Sequence, residues 1–139
     1  MVVKKYFLLL IDDMSRYMWL YLLTSKSKAP ATIKRFKVGV EVETGAKLRV
    51  LRTDRGGEFT SIEFGLYCAN EGVACQLIAP YSPQQNGVVE HRNQTVVAMA
   101  RCMMKAKSMP GEFWGEAVTT AVFILNRSPT KSVADKTPY

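Results

Sequence analysis

Near its start the chain reads Lys4-Lys-Tyr-Phe-Leu-Leu-Leu-Ile-Asp-Asp-Met-Ser-Arg-Tyr-Met-Trp-Leu-Tyr-Leu-Leu23, the segment with the strongest structural signal in the sequence. Two apolar runs, Lys4–Asp12 and Tyr17–Leu23, flank the polar break Asp13-Met-Ser-Arg16, which has the composition of a turn. The pair therefore predicts an antiparallel β-hairpin. Because the apolar residues are nearly continuous, we expect both faces of the two strands to be covered.

Downstream of the hairpin, the hydrophobic period changes to that of a helix, from Ser27 to about Glu43. We expect the helix to end at Thr44-Gly45. The expected buried face consists of Ile33, Phe36 and Val40, with Glu43 next in the same spacing, and the expected solvated face of Lys34, Arg35 and Lys37.

The rest of the chain alternates short strands and helices. Pro83 suits the first turn of a helix because its missing N–H has no partner to lose there. In chain order we expect a strand over Lys47–Thr53, a loop over Asp54–Glu58, a short helix marked by Ile62, Leu66 and Ala69, a strand over Val73–Ile78, a helix from Pro83 to Lys107 and a last helix from about Pro110. This order predicts an α/β fold.

Composition narrows the class of protein further. The chain has 139 residues, the length of one domain, and no visible repeat or linker, so we expect residues 1–139 to form one unit. Nineteen Lys and Arg against 12 Asp and Glu give a net charge of +7, which favours a polyanionic partner. Three cysteines without disulfide or zinc spacing predict free thiols in a reducing, intracellular compartment. No apolar run is long enough to predict a membrane span.

Two acidic residues stand in positions where chemistry is plausible. Asp54 follows an apolar strand and opens a Gly-Gly loop, and open α/β sheets bind ligands at the carboxyl ends of their strands. Glu90 lies near the start of a helix, from where its side chain can reach the same region. Carboxylates from separate elements are suitable ligands for Mg²⁺ or Mn²⁺. On spacing alone the alternative stays open that Asp54 caps a turn and Glu90 is a solvated helix charge.

Four blocks in fixed order make the sequence resemble the integrase core of copia-type retrotransposons. They are Thr53-Asp-Arg-Gly-Gly-Glu-Phe59, Ala79-Pro-Tyr-Ser-Pro-Gln-Gln-Asn-Gly-Val-Val-Glu90, Phe113-Trp-Gly-Glu-Ala117 and Ile124-Leu-Asn-Arg-Ser-Pro129. The resemblance extends from about Lys4 to Thr137. Asp54 and Glu90 have 35 residues between them (90 − 54 − 1), the spacing of the last two members of that family's metal-binding triad.

The resemblance implies a ribonuclease-H-like fold, a mixed sheet flanked by helices. It also implies a polynucleotidyl transferase that trims the 3′ ends of element DNA and joins them to target DNA, an integration step expected in the nucleus. Asp54 and Glu90 would hold two Mg²⁺ or Mn²⁺ ions. The implied partners are double-stranded DNA and further copies of the chain, with no membrane. Beside the site, Gln84, Gln85, Asn86 and Gly87 would form a mobile, DNA-binding loop.

The chain departs from the family pattern at the first aspartate of the triad. In the family this residue lies on a central strand that precedes the hairpin, whereas this sequence starts at Met1 without such a strand. Asp12 and Asp13 are less favoured substitutes because they match the hairpin turn. The missing strand would leave two neighbouring strands unpaired. We therefore expect a partial core domain that is poorly stable and catalytically weak alone.

A basic helix is the expected DNA-contacting surface. Between His91 and Gly111 there is no acidic residue, and the family places this helix along DNA. Arg101 and Lys105, four residues apart, share a face, and Arg92 and Lys107 are expected near the ends of that face. Such phosphate contacts give affinity without reading sequence. A second function class stays open, that of a non-catalytic DNA-binding or domesticated remnant.

Overall fold

A computed structural model of the chain describes residues 6–53, 59–77, 83–128 and Thr137. The elements in chain order are β1 (Tyr6–Ile11), β2 (Met18–Leu23), α1 (Ala29–Thr44), β3 (Val50–Thr53), α2 (Ile62–Asn70), β4 (Ala74–Leu77), α3 (Pro83–Ala106) and α4 (Trp114–Asn126). This order confirms the expected α/β fold. None of the helices in the described ranges combines the length and the apolar composition of a membrane span.

The chain divides into two compact units. We call Met1–Thr24 with Gly87–Tyr139 the hairpin unit, and Ser25–Asn86 the α1 unit. The described strands form two separate two-stranded sheets, β1 with β2 in the hairpin unit and β3 with β4 in the α1 unit. The single mixed sheet expected from the sequence is thus present as one antiparallel and one parallel pair. That residues 1–139 form a single domain stays a prediction.

The hairpin has the predicted antiparallel pairing. Leu9 lies opposite Leu20, and Ile11 lies opposite Met18. The turn closes through two backbone hydrogen bonds of 2.9 Å, in which the amide of Asp12 donates to the carbonyl of Tyr17 and the amide of Arg16 donates to the carbonyl of Asp12. Arg16 adopts the left-handed conformation, with φ at 64°, that such a tight reversal requires. The polar break therefore forms the turn as expected.

The core of the hairpin unit forms where one face of the hairpin packs with α3 and α4. Leu9 and Met18 supply the strand side, and the helices contribute small or branched side chains that are almost fully buried: Val96, Ala100, Val118, Ala121 and Val122. The alanines allow the backbones to approach closely. Gly115 shows the same requirement, because a Cβ at this position would lie 3.0 Å from Leu22 Cδ1.

A buried amide ties α4 to the hairpin. Asn126 is 4% exposed, and its Oδ1 accepts a 2.9 Å hydrogen bond from the backbone N–H of Met18. Its Nδ2 donates a 2.9 Å hydrogen bond to the carbonyl of the same residue. Because both ends of the amide are bonded, its burial is not penalised by an unsatisfied polar atom. This contact joins residues 108 positions apart.

The α1 unit packs α1 and α2 with the parallel pair β3–β4. Leu51 lies opposite Cys75 in the ladder, and the buried apolar residues are Ala29, Ile33, Phe36, Leu51, Phe64, Cys68 and Val73. Helix α1 ends where predicted, at Gly45, which adopts the left-handed conformation (φ 73°) and donates its N–H to the carbonyl of Glu41. All three cysteines are free thiols, and burial is the main cause that raises the pKa of Cys68 to about 11.

The expected short helix is present as α2, but the residues that mark it in the sequence do not form its buried face. Ile62 and Leu66 are 83% and 59% exposed, whereas Phe64 and Cys68 are buried. The physical reason is that α2 carries apolar residues on both sides, at i and i+4 in each case. The Ser61 hydroxyl caps the helix by accepting from the amide of Phe64 at 3.2 Å.

The expected exposure of Lys37 is also wrong. Its side chain is buried, and its Nζ donates to Glu41 Oε1 at 2.8 Å and to Glu71 Oε2 at 3.3 Å. Glu41 accepts a second hydrogen bond, of 2.7 Å, from the backbone N–H of Leu48. The bond to Glu41 is the main cause that raises the pKa of Lys37, and the bond from Lys37 is the main cause that lowers the pKa of Glu41. The helical spacing of Lys37 and Glu41 is the signal that could have predicted this pair.

Candidate active site

Helix α3 presents Glu90 on a solvent-exposed face that also carries two basic residues. Glu90, Arg101 and Lys105 are all exposed. Arg101 follows Glu90 by 11 positions, which is close to three full helical turns, or roughly 16 Å along the axis. Lys105 follows one turn later. One face of a single helix therefore places a carboxylate in line with two cations.

Arg92 does not share that face, and this expectation from the sequence is wrong. It is half-buried. Nine positions separate Arg92 from Arg101, which is two and a half turns of helix and puts the two side chains on opposite sides of α3. Lys107 lies beyond the last residue of the helix, Ala106. The exposed basic residues that share a face with Glu90 are thus Arg101 and Lys105.

The structure describes some of the remaining predicted site residues and not others. The backbone of Gln84, Gln85, Asn86 and Gly87 lies in the first turns of α3. The loop expected there is therefore helical, because Pro83 starts the helix before these residues. Asp54 lies outside the described residues, directly after the end of β3 at Thr53.

Asp12 and Asp13, the less favoured substitutes for the first aspartate, take part in the hairpin turn. Asp12 Oδ2 accepts two hydrogen bonds of 2.8 Å from Ser15, one from its amide and one from its hydroxyl. Asp13 Oδ1 pairs with the guanidinium of Arg16 at 3.1 Å. Both carboxylates thus stabilise the turn. Their role as metal ligands stays a prediction without support from this geometry.

Two buried side-chain oxygens lack a hydrogen-bond partner in the described part of the chain, Thr53 Oγ1 and Asn93 Oδ1. Thr53 directly precedes Asp54 in the sequence, and Asn93 follows Glu90 by three positions on α3. Each orphaned oxygen thus neighbours one of the two acidic residues singled out from the sequence. Neither residue is among the site residues predicted from the sequence, although Asn93 is a polar residue in the stripe that leads to Val96 and could have been noticed there.

The other blocks that carry the resemblance have structural roles in this fold. Trp114 packs against the core of the hairpin unit. Asn126 makes the buried amide contact with Met18. Arg127 stacks over the ring of Phe123 at 3.7 Å from the centroid, on the surface of α4. These residues hold the scaffold and do not extend the candidate site.

The donor chemistry of the candidate site fits a hard divalent cation. In the ranges that the structure describes, no three His, Cys, Asp or Glu side chains cluster as a metal site. Glu90 offers an exposed carboxylate. A carboxylate is an oxygen donor of the kind that Mg²⁺ binds directly or through its waters.

Comparison with known proteins identifies close relatives in sequence. The family model described as the integrase core domain matches residues 2–83. The Pol polyprotein of transposon TNT 1-94 from Nicotiana tabacum is 45% identical over 135 residues, which are 97% of this chain and 10% of that protein. The Pol polyprotein of transposon RE2 from Arabidopsis thaliana is 30% identical over the same share of the chain and 9% of its own length. The chain thus spans about a tenth of these relatives.

Solved structures share the fold at low sequence identity. A chain of the simian T-cell lymphotropic virus intasome, in complex with the PP2A regulatory subunit B56 gamma, aligns over 95% of this chain and 46% of its own, with a TM-score of 0.73 and 18% identity. The HTLV-2 integrase catalytic core domain in complex with magnesium aligns over 92% and 78%, with a TM-score of 0.64 and 21% identity. The ribonuclease-H-like fold expected from the sequence is confirmed, and the chain belongs to the integrase core domain family of retrotransposon Pol polyproteins.

Proposed function

We propose that this chain is the catalytic part of a retrotransposon integrase that uses Mg²⁺ or Mn²⁺ to process the 3′ ends of element DNA and to join them to target DNA. Double-stranded DNA would be its substrate, further copies of the integrase its partners, and the nucleus the place of the integration step. The observation that carries the proposal is the exposed face of α3, on which Glu90 lies in line with Arg101 and Lys105.

The two ends of this face suit different parts of the reaction. Arg101 and Lys105 are one turn apart, so they can contact neighbouring phosphates of a DNA backbone and hold it along the helix. Such contacts give affinity without sequence recognition. Glu90, three turns away, would then meet the phosphodiester at which the reaction occurs.

Asp54 and Glu90 would hold the divalent ions, which supply charge stabilisation for in-line attack at phosphorus. The 35-residue spacing of these two acids supports this assignment. The integrase core family generally uses divalent metal, and the HTLV-2 core, a structural relative, was solved in complex with magnesium. The assembly named an intasome supports the expectation that DNA and several copies of the protein act together.

A chimaeric enzyme tests this function. Because the chain spans about a tenth of its relatives, it would replace the 135 matching residues of the tobacco TNT 1-94 Pol polyprotein, which supplies the remaining segments. We expect Mg²⁺-dependent strand transfer from the chimaera, measured with labelled element-end DNA. Glu90→Gln and Asp54→Asn should each lower the rate by about 100-fold or more, since each removes a charged ligand.

The matched control is Glu43→Gln, which neutralises an exposed glutamate on α1 that lies outside the candidate site. It should retain the activity of the parent chimaera. Equal activity of the parent and Glu90→Gln would contradict the proposal. An inactive parent chimaera that still shifts DNA in chelator would also contradict it, and would support the alternative of a DNA-binding remnant.

A further inference from the structure

Two cysteines of the α1 unit lie where α2 packs on β4. Cys68 belongs to α2 and is buried, with 3% of its surface exposed. Cys75 belongs to β4 and is only half-buried. It pairs in the parallel ladder with Leu51 of β3, which is buried, so its side chain points to the same face of the sheet as that residue. The two thiols therefore line one interior, one on the helix and one on the strand.

A direct contact joins the two thiols. Burial is the largest cause that raises the pKa of Cys68 to about 11, and the neighbouring Cys75 thiol raises it further, through its charge and through a hydrogen bond between the two thiols. Such a hydrogen bond places the two sulfur atoms next to each other. The third cysteine, Cys102, is exposed and belongs to the hairpin unit. The contact is thus specific to Cys68 and Cys75.

The backbone between the two cysteines holds them close together. The amide of Val73 donates a 2.8 Å hydrogen bond to the carbonyl of Cys68, which closes the turn between α2 and β4. Gly72 adopts the left-handed conformation in this turn, with φ at 71°. The turn therefore brings the start of β4 back against the last turn of α2. A disulfide between the two cysteines would close a ring of eight residues (75 − 68 + 1).

We propose that Cys68 and Cys75 form a reversible disulfide that ties α2 to β4 when glutathione becomes oxidised. The thiolate of Cys75, the more exposed of the two, attacks one sulfur of glutathione disulfide, forms a mixed disulfide and releases one glutathione. Cys68 then attacks the sulfur of Cys75 and displaces the second glutathione. The protein thiols lose two electrons and two protons, and the two released glutathione molecules carry them. The inference goes beyond the proposed function and does not depend on it.

The position of the disulfide equilibrium tests the proposal. The reference protein carries Cys102→Ser, which removes the exposed thiol. It is equilibrated with fixed ratios of glutathione disulfide to glutathione, once in native buffer and once in denaturing urea. Because the fold holds the two thiols together, we expect the equilibrium constant for the disulfide to be about tenfold or more higher in native buffer. By linkage, the disulfide should then raise the thermal midpoint by about 5 °C.

Mass spectrometry of one tryptic peptide measures the disulfide. Trypsin cleaves after Lys and Arg, so residues 56–92 form a single peptide that contains both thiols and no third cysteine. The disulfide lowers the mass of this peptide by that of two hydrogen atoms. The same peptide can be followed in the chimaera, in which the tobacco TNT 1-94 Pol polyprotein supplies the remaining segments. We expect the same preference for native buffer there.

The matched control is Cys75→Ser in the Cys102→Ser background, which removes one thiol of the pair. Its thermal midpoint should not respond to the glutathione ratio. A response equal to that of the reference would overturn the proposal, because it would need no second thiol. Equal equilibrium constants in native buffer and in urea for the chimaera would also overturn it, because the fold would then not hold the two thiols in position to bond.

Discussion

Asn126 in the hairpin unit and Lys37 in the α1 unit are both buried polar side chains, but they have different kinds of hydrogen-bond partner. Asn126 is neutral and forms two hydrogen bonds of 2.9 Å to the backbone of a single residue, Met18. Lys37 is charged and is shared between two carboxylates, Glu41 and Glu71, of which Glu71 has a side chain 47% exposed. One contact is closed off from water, and the other is open at one end.

This difference predicts how the two units respond to their surroundings. An amide does not titrate, so the contact of Asn126 should be insensitive to pH and to salt. Charged groups near water are screened by salt and depend on protonation. Mutation of Asn126 should therefore be the main way to lower the stability of the hairpin unit. The stability of the α1 unit should also depend on pH and on salt concentration.

Asn126→Leu should have the largest effect. The substitution keeps the branched shape of the side chain but leaves the N–H and the carbonyl of Met18 buried without partners, so we expect a loss of about 2–4 kcal/mol in unfolding free energy. Urea denaturation at pH 7 measures it. Thr120→Val is the control, since it removes an exposed hydroxyl of the same helix and should change stability by less than about 0.5 kcal/mol. An equally small change for Asn126→Leu would refute the structural role assigned to the amide.

Lys37→Met should have a smaller effect in the same direction. In the variant, Glu41 still accepts the hydrogen bond from the amide of Leu48, and Glu71 stays in contact with water. Both carboxylates that bind Lys37 therefore keep some of their partners. We expect a lower urea midpoint than that of the parent, but a higher one than that of Asn126→Leu. Lys28→Met, at an exposed lysine outside the cluster, should leave the midpoint unchanged. A urea midpoint at or above that of the parent would show that removing the Lys37 charge from water costs more free energy than its two ion pairs contribute.

The smallest effect should be a pH dependence that Lys37→Met removes. The folded pKa of Glu41 lies below its ordinary value of 4.5, so its contribution is present above that value and is lost as pH falls through the folded pKa. The folded pKa of Lys37 lies above 10.5, so its contribution is present below that value and is lost as pH rises through the folded pKa. Urea midpoints between pH 3 and pH 7 should therefore fall less steeply toward acid in Lys37→Met than in the parent. If the urea midpoints of the parent and of Lys37→Met fell equally with pH, the stabilising role assigned to the Lys37–Glu41 pair would be contradicted.

Where an element has one clear pattern of apolar residues, its position and its buried face were predictable from the sequence. Where an element has two competing apolar patterns, its buried face was not predictable. The hairpin and the last two helices have a single apolar stripe or run, and the structure places them within a few residues of the expected bounds. Helix α2 carries equivalent apolar pairs on two sides, and only packing decides that Phe64 is buried and Ile62 is exposed. Spacing alone contains no information about that choice.

The candidate site was predictable to a similar extent. The position of Glu90 on a helix followed from the pattern of the chain, and its position in line with Arg101 follows from helical geometry. The same helical geometry excludes Arg92 from the face that carries Glu90, and this could have been worked out from the residue numbers alone. Asn126 could not be assigned in this way, because its partner Met18 is 108 residues distant and nothing local marks the pairing.

The contact between Asn126 and Met18 has a consequence for self-association. By binding both the N–H and the carbonyl of one strand residue, the amide takes the place that the backbone of an added β-strand would otherwise occupy. A foreign peptide, or a second copy of the chain, therefore finds no free hydrogen-bonding groups at this point of β2. Removing the amide would create a docking place for intermolecular strand addition, so solutions of Asn126→Leu should form amyloid-like aggregates more readily than the parent protein.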